Sequence, residues 1–305
     1  MSTLAPPVHL SACSPAKINL FLHVTGRRAD GYHLLQSVFC PITLSDKIEL
    51  TLQPSPDDQL HIERLGDLVH IPKLTDLTVR ACEKFFELAN IQQAQRVCIQ
   101  VRKNIPEQAG LGGGSSNAAT VLRMLNQHYG NLLSPIQMDD IALALGADVP
   151  FFLQDKSAFV EGIGEIITPI AGASGHLIVY KPPLSCPTPK IFSDPQLTRN
   201  SSDVKIAVFD SASRVNSGLM GFIRSNTQNA LQTVVSSNFP EWEQQFEAFS
   251  SSVAKFNPQL IRMSGSGSAM FAVFASPSQS SNAVAAVAEA PDLQAGKWFE
   301  CEIVA

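Results

Sequence analysis

The sequence predicts an α+β fold in two domains. Its 305 residues exceed the size, about 250 residues, beyond which a single hydrophobic core stops growing efficiently. Segments with the two-residue alternation of strands recur between segments in which apolar residues have helical spacing. This pattern restarts after residue 168, so we predict one domain over 1–168 and a second over 169–305.

Two strands joined by a loop are predicted near the N-terminus. Residues alternate over 16–24, which places Lys17 and Asn19 on the same face of a strand. A second strand is predicted at 47–52. The segment TGRRADGYH between them contains two glycines as turn signals and is interpreted as a loop.

The rest of the N-terminal half is predicted to contain three helices and a strand. They are a helix at 75–90 capped by Thr75 or Asp76, a strand at 97–101, a helix from near Ser115 to Gly130, and a helix from Ser134 to near Gly146. The last of these opens with the sequence SPIQ, which is a capping box with proline in the first turn.

The C-terminal half is predicted to contain three strands and three helices. The strands are placed at 176–180, 270–274 and 298–304, and the helices at 226–235, 240–255 and 280–289. Two serine-rich segments, 200–202 and 276–281, are predicted to be exposed loops.

Composition and charge favour a small-molecule partner. The net charge is −5, and basic residues cluster only as Arg27-Arg28 and Arg102-Lys103, so we expect no nucleic-acid or membrane surface. No segment approaches the roughly 20 apolar residues that cross a bilayer, and the opening MSTLAPPVHLSAC does not resemble a signal peptide, so a cytoplasmic protein is expected. The six cysteines form no CxxC pair and the histidines no HExxH motif, which indicates reduced, mostly buried thiols.

The segment GLGGGSS at 110–116 is the strongest local signal. It follows a predicted strand and opens a predicted helix, whose N-terminus offers unpaired N–H groups and the positive end of a dipole. Glycines also let the backbone approach an anion closely. We therefore interpret it as a phosphate-binding loop, with a flexible glycine turn as the alternative.

Other phosphate-binding loops are excluded by the surrounding residues. A Walker loop needs a lysine before its Ser or Thr, and no lysine lies between Asn104 and Lys156. The dinucleotide fingerprint needs Gly or Ala where Ser115 stands, and there the predicted helix is followed by another helix rather than a strand. Protein-kinase signatures such as HRD and DFG are absent from the sequence.

Three segments, PAKINLFLHV, PEQAGLGGGSSNAA and RMSGSGSAMFAVF, resemble the three motifs of the GHMP kinases in order and spacing. Within that superfamily, SPAKINLFLHVTGRRADGYHLLQSVF, LGADVPFFL and CPTPKIF resemble the diphosphocytidyl-methylerythritol kinases. The resemblance implies a two-domain GHMP kinase fold. Its N-terminal domain would be like domain 2 of ribosomal protein S5, and its C-terminal domain would be ferredoxin-like.

The resemblance also implies an ATP-dependent phosphoryl transfer to the 2-hydroxyl of the diphosphocytidyl substrate. Asp148 would accept the hydroxyl proton and Lys17 would assist it as a neighbouring cation. Mg²⁺ would accompany ATP, with Ser116 as a candidate ligand. The implied ATP-binding residues are Pro106, Gly110, Leu111, Gly112, Gly113, Gly114, Ser115 and Ser116.

The substrate would be bound by an aromatic clamp and hydrogen bonds, since a pyrimidine has a π-face and a polar edge. The residues that match this role are Asn19, Tyr32, His33, Thr188 and Phe192. The small-molecule substrate would be the partner of a monomer or homodimer. The third motif, SGSGS at 264–268, is implied to support the phosphate loop, with a plain hairpin as the alternative.

Several of these residues have a simpler explanation. Asp148 has the position of a solvated turn residue, Lys17 that of an exposed charge, and His33 that of a surface histidine. Gln108 departs from the family pattern, which has glycine or serine there, and its side chain could crowd the nucleotide or restrict a positive φ angle. The rival functions are a GHMP kinase acting on homoserine, mevalonate or a sugar, and a catalytically silent nucleotide-binding protein.

Overall fold

The computed structural model describes residues 6–57, 59–91, 94–154, 156–207 and 218–304. The chain divides into two compact units. The first contains Met1–Ala16, Ser45–Ile105 and Gly112–Gln154, and the second contains Lys17–Leu44, Pro106–Leu111 and Asp155–Ala305. The chain therefore changes unit inside the first sequence motif and again inside the glycine-rich loop. The domain boundary near residue 168 stays a prediction.

Among the residues described, the first unit contains four strands or parts of strands and three α-helices. It contains the beginning of β1 (Val8–Arg27), the end of β2 (His33–Pro54), β3 (His61–Gly66), α1 (Leu77–Ala89), β4 (Gln95–Arg102), α2 (Gly113–His128) and α3 (Pro135–Leu145). β4 pairs antiparallel with β2 and parallel with β3. The strands predicted at 16–24, 47–52 and 97–101 lie within β1, β2 and β4, and are confirmed.

Two helices of the first unit, α1 and α3, begin where their capping residues predict. The Asp76 side chain accepts a hydrogen bond from the Thr78 amide at the start of α1, and the Ser134 capping box opens α3. α1 packs on α2 through apolar side chains, and the Phe85 ring stacks on Tyr129 at 5.9 Å between centroids. Burying these faces gives the helices most of their stability.

The second unit contains the rest of β1, the start of β2, two further strands that extend this sheet, and a separate four-stranded sheet. Its other elements are β5 (Ala158–Gly162), β6 (Ile166–Pro169), β7 (His176–Lys181), α4 (Thr188–Ser193), α5 (Gly218–Asn226), α6 (Ala230–Asn238), α7 (Pro240–Ala254), β8 (Leu260–Met263), β9 (Met270–Phe274), α8 (Pro277–Glu289) and β10 (Lys297–Glu302). β2 pairs with β5, and β5 with β6.

The four-stranded sheet has the antiparallel order β10-β7-β9-β8. Counted along the chain, its strands lie in the order fourth, first, third, second. Helices separate β7 from β8 and β9 from β10, which is the βαββαβ arrangement of ferredoxin-like domains. The predicted ferredoxin-like topology is confirmed.

Aromatic side chains fill the core of the second unit. Tyr180 stacks on Phe249 at 5.8 Å, and its hydroxyl donates to Gln245. The buried Trp242 donates its indole N–H to the carbonyl of Ser268 at 2.8 Å. Buried Tyr and Trp side chains thus keep partners for their polar atoms.

Two predictions for this unit are wrong. The serine-rich segment 276–281 is not a loop, because Ser276 is the N-cap of α8 and makes a capping box with Gln279. The helix predicted at 226–235 begins later, because the Asn229 side chain caps α6 and residue 226 ends α5. The segment 200–202 is a loop, as predicted. Of the helices in the described ranges, none has the length and apolar character that a membrane span requires.

Candidate active site

The glycine-rich loop turns through two left-handed residues before α2. Gly110 has φ +72° and Gly112 has φ +70°, and Gly112 is the N-cap of α2 without a capping side chain. A Cβ atom on Gly110 would stand 2.1 Å from the Ser264 carbonyl oxygen, so only glycine fits there. The first turn of α2 therefore begins without a side-chain partner for its N–H groups, as an anion site requires.

Gln108 also adopts a positive φ, of 51°, and its side chain is exposed. This is the position at which the sequence departs from the family pattern. The left-handed conformation costs a non-glycine residue about 1–2 kcal/mol. The loop therefore has the shape that glycine favours, and Gln108 bears the conformational cost.

A cluster of buried polar side chains supports the start of α2. All of its members belong to the first unit. Asp46 is 1% exposed, forms an ion pair with Lys103, and accepts hydrogen bonds from the backbone N–H groups of Asn104 and Ile105. Asn117 of α2 donates to the Asp46 carboxylate at 2.9 Å. A buried carboxylate with this many donors is fully satisfied and fixes the geometry around it.

Hydrogen bonds extend this cluster of polar side chains to Ser116. Asn117 donates to the Ser14 hydroxyl at 3.1 Å, and Ser14 donates to the Ser116 hydroxyl at 2.7 Å. Ser116 is fully buried. Its oxygen keeps one lone pair beyond the bond from Ser14, and its role as a magnesium ligand stays a prediction.

Lys17 and Asn19 lie together on β1 in the second unit. The Lys17 ammonium donates to Oδ1 of Asn19 and stands 4.6 Å from the centroid of the Phe39 ring. Asn19 in turn donates from Nδ2 to the Ser37 hydroxyl at 2.9 Å, which fixes the orientation of its amide. Lys17 is 3% exposed, so the alternative of a plain surface charge is wrong.

The third motif contacts the entry of the glycine-rich loop within the second unit. The Ser264 hydroxyl donates to the Gly110 carbonyl at 3.0 Å and accepts from the backbone N–H of Asn19 at 3.3 Å. The Lys17 amide donates to the Leu111 carbonyl, which joins β1 to the same loop. The loop entry is therefore held by both motifs.

Asp148 lies in the turn that the sequence predicts. This turn connects α3 to the 3-10 helix Pro150–Leu153, and its backbone is closed by a hydrogen bond from the Val149 amide to the Gly146 carbonyl. The Asp148 side chain is half-buried. It belongs to the first unit, whereas Lys17 belongs to the second.

Two of the predicted pyrimidine-binding residues, His33 and Phe192, meet near the end of α4 in the second unit. The rings of His33 and Phe192 are 5.2 Å apart, at 39° to each other. Tyr32 is 60% exposed, which is unusual for an aromatic residue that serves packing alone. Thr188 shares a hydrogen bond of 2.7 Å with Ser266 of the third motif.

Arg199 also contacts His33 and the backbone of Phe192, although no local sequence pattern marks it. Its Nε donates to Nε2 of His33 at 3.1 Å. Partial burial lowers the pKa of His33, and the positive charges of Arg199 and Arg27 act in the same direction.

Comparison with known proteins identifies the family to which the chain belongs. Residues 76–156 match the family described as "GHMP kinases N terminal domain". The 4-diphosphocytidyl-2-C-methyl-D-erythritol kinase of Burkholderia ambifaria (strain MC40-6) is 41% identical over 263 residues, covering 86% of this chain and 85% of that protein. The chain belongs to the 4-diphosphocytidyl-2-C-methyl-D-erythritol kinase family.

Solved structures confirm the fold of this kinase family for the chain. A crystal structure of 4-(cytidine 5'-diphospho)-2C-methyl-D-erythritol kinase superposes with a TM-score of 0.76 at 29% identity, covering 97% of this chain and 100% of that one. The homoserine kinase of Cytophaga hutchinsonii ATCC 33406 gives 0.71 at 14% identity, covering 99% and 96%, and shares the fold. The predicted GHMP kinase fold is therefore confirmed.

Most residues that support the kinase motifs are not marked by any pattern in the sequence. They are Ser14, Ser37, Asp46, Lys103, Asn117 and Arg199. Asp46 and Lys103 are 57 positions apart, and Arg199 and His33 are 166 apart. The sequence offers only two signals for these residues. Lys103 stands next to the end of a predicted strand, and Asn117 directly follows the two serines of the glycine-rich loop.

Proposed function

We propose that this chain transfers the γ-phosphoryl group of ATP to the 2-hydroxyl of 4-diphosphocytidyl-2-C-methyl-D-erythritol. The products are the 2-phosphate and ADP, and the reaction is a step of the methylerythritol phosphate route to isoprenoid precursors. The observation that supports it most is the uncapped N-terminus of α2, preceded by left-handed Gly110 and Gly112. Such a helix end binds phosphate through backbone N–H groups.

Asp148 is proposed as the base that accepts the proton of the substrate hydroxyl. Phosphoryl transfer needs little covalent chemistry from the protein beyond this, because positioning and charge stabilisation account for most of the rate. Lys17 is proposed as the cation that lowers the pKa of the attacking hydroxyl. Its burial supports this role, because an ammonium group is removed from water only where it has a function or a partner.

Magnesium is proposed to bind with the phosphates of ATP, whose β- and γ-oxygens it neutralises. Among the residues that the structure describes, no three His, Cys or carboxylate side chains are grouped to hold a metal ion. Mg²⁺ usually takes most of its ligands from phosphates and water. Ser116 is the proposed protein ligand.

The cytosine of the substrate is proposed to bind at His33 and Phe192, with Tyr32 as a second aromatic face and Thr188 near the ribose or methylerythritol part. The 5.2 Å approach of the His33 and Phe192 rings supports this assignment. Asn19 contacts the substrate next to Lys17. We expect the reaction to take place in the cytoplasm, on a monomer or homodimer.

The substrate assignment is tested by ADP release from purified protein and Mg-ATP. Diphosphocytidyl-methylerythritol, homoserine and mevalonate are supplied in parallel, and turnover is expected with the first alone. Turnover with only homoserine or mevalonate contradicts the substrate assignment. A protein that binds ATP but releases no ADP with any acceptor is the silent nucleotide-binding alternative.

Asp148→Asn tests the base. Its kcat should fall by about two to four orders of magnitude, which is the usual contribution of general base catalysis. Asp140→Asn is the matched control, because Asp140 is an exposed aspartate of α3. Wild-type turnover in Asp148→Asn would rule out this base, and equal losses in both variants would point to a general effect on the fold.

A further inference from the structure

The guanidinium of Arg199 is surrounded by four acceptors of the second unit. Nε donates to Nε2 of His33 at 3.1 Å, and one terminal nitrogen donates to the Leu197 carbonyl at 3.1 Å. The other terminal nitrogen donates to the carbonyls of Phe192 and Asp194, at 3.3 and 2.7 Å. One cation therefore ties the end of α4 and the loop after it to the imidazole of His33.

This contact determines which nitrogen of His33 carries the proton. An arginine side chain has only donors and stays protonated in proteins, so the Nε2 atom that faces it must accept. In a neutral imidazole the other nitrogen then holds the hydrogen. Burial and the charges of Arg199 and Arg27 lower the pKa of His33, so the neutral ring predominates near neutral pH.

The Nδ1–H group is left available for a ligand. His33 is half-buried, and within the described ranges Nδ1 has no hydrogen-bond partner. The Phe192 ring lies 5.2 Å from the imidazole, so this donor stands beside an aromatic face. A pyrimidine stacked there would meet a donor, and cytosine presents two adjacent acceptors on its edge, N3 and O2.

We propose that Arg199 is a positioning residue that holds His33 as the Nδ1–H tautomer, so that this group donates to the N3 and O2 edge of the cytosine. The proposal rests on the function proposed above and deepens it, because it identifies how the base is recognised. Arg199 acts through His33, with no contact to the base of its own.

The tautomer is tested by NMR on the full-length protein labelled with ¹⁵N-histidine, without ligand. Wild type should show His33 protonated at Nδ1. In Arg199→Met the constraint on Nε2 is gone, so the Nε2–H form becomes populated and the pKa of His33 rises. An Nε2–H ring in wild type, or an unchanged tautomer in Arg199→Met, overturns the proposal.

Arg27→Met is the matched control. Arg27 also lowers the pKa of His33 by its charge, but its Nε donates to the Gly31 carbonyl rather than to the imidazole. The variant should raise the pKa of His33 and leave the proton on Nδ1. A change of tautomer here would mean that charge alone, and not the hydrogen bond from Arg199, sets the state of the ring.

Kinetics separate positioning from a general role in holding the loop. Arg199→Met should raise KM for diphosphocytidyl-methylerythritol about three- to tenfold, as expected for one hydrogen bond, and change kcat much less. In a His33→Ala background the same substitution should have no further effect on KM. An equal rise of KM in both backgrounds overturns the proposal, because Arg199 would then act on the loop alone.

The two proposals fail in distinguishable ways. If wild type does not turn over diphosphocytidyl-methylerythritol, the proposed function fails, and the NMR measurement still tests whether Arg199 sets the tautomer of His33. If wild type turns it over while His33 carries its proton on Nε2, only the inference fails.

Discussion

His23 lies in a buried position on β1 where only a neutral imidazole fits. Its Nδ1–H donates to the Ser202 carbonyl at 3.0 Å, and its Nε2 accepts from the backbone N–H of Gln228 at 3.2 Å. Protonation would place two donors against each other at Nε2. Burial lowers the pKa of His23 from 6.5, and the nearby charge of Arg262 acts in the same direction.

This geometry makes stability sensitive to acid. As pH falls through 6.5 the unfolded chain binds a proton that folded His23 does not, so the free energy of unfolding falls. The slope approaches at most about 1.4 kcal/mol per pH unit, until the folded state also protonates. The free energy of unfolding, measured with urea, should therefore differ less between about pH 7.5 and about pH 5.5 in His23→Gln than in wild type.

The exposed His9, which bonds Thr51, provides the control. His9→Gln leaves His23 intact and should retain the wild-type pH dependence. A wild-type pH dependence in His23→Gln as well would contradict the assignment to His23.

The pairing of Lys17 with Asn19 could be predicted from the sequence, whereas the partners of His33 and Ser116 could not. Lys17 and Asn19 are two positions apart on one strand, so the pleat alone places them on the same face. Arg199 meets His33 only because the chain folds back over 166 positions. No local pattern encodes such a contact, since it depends on the packing of α4 and the loop after it.

The backbone of the glycine-rich loop restricts which residues the sequence can place there. Gly110 and Gly114 differ in this respect, although both are predicted to bind ATP. A Cβ atom on Gly110 would be 2.1 Å from a backbone oxygen, whereas on Gly114 its nearest neighbour would be a Leu77 methyl at 3.8 Å. Gly114 also has ordinary helical geometry in the first turn of α2.

The two alanine variants should therefore separate stability from nucleotide binding. Gly110→Ala should lower the free energy of unfolding by more than about 2 kcal/mol, from the left-handed φ and the backbone overlap. Gly114→Ala should keep or raise it by up to about 1 kcal/mol, because alanine favours a helix. Gly114→Ala should also raise KM for ATP, because its methyl group obstructs the phosphate.

Urea midpoints with unchanged slopes, together with the dependence of ADP release on ATP concentration, check both variants. Equal urea midpoints for Gly110→Ala and Gly114→Ala would contradict the inference that the backbone requires glycine at 110 but not at 114. An unchanged KM for ATP in a stable Gly114→Ala would contradict phosphate binding at this helix end.

Capping chemistry predicts the start of α3 correctly, whereas at α8 the serine-rich composition favours a loop that the structure does not have. Ser134 and Ser276 both precede a proline and stand three residues before a glutamine. The first pattern predicted α3, whereas the serine-rich composition around the second suggested a loop. Both form capping boxes in the structure, because the reciprocal hydrogen bonds stabilise a helix start whatever the neighbouring residues are.

At the scale of the whole molecule, alternation along the chain predicts strands but not their neighbours. Strands β7, β9 and the start of β10 were expected at nearly their observed positions. Their order in the sheet depends on contacts between segments about 100 residues apart, and it followed only from the resemblance to a family. β8, with four residues, is too short for periodicity to detect.

The six cysteines report on packing throughout the chain. Cys40, Cys82, Cys186 and Cys301 are buried, Cys98 is half-buried, and Cys13 is exposed. Burial raises the pKa of Cys186 to about 11 and of Cys40 and Cys301 to about 12. These thiols are both shielded and protonated near neutral pH, and the thiolate is the reactive form.

A thiol-specific reagent at about pH 8, near the ordinary thiol pKa, should therefore label one group rapidly in the native protein. That group is Cys13, so Cys13→Ser should abolish the rapid phase. The buried thiols should react only as fast as the fold opens, and all six should react in denaturant without a reductant, because the structure holds them as free cysteines. A rapid phase that persists after both Cys13→Ser and Cys98→Ser would show that a thiol assigned to the core is open to solvent. Fewer than six reactive groups in denaturant would reveal a disulfide that the packing does not contain.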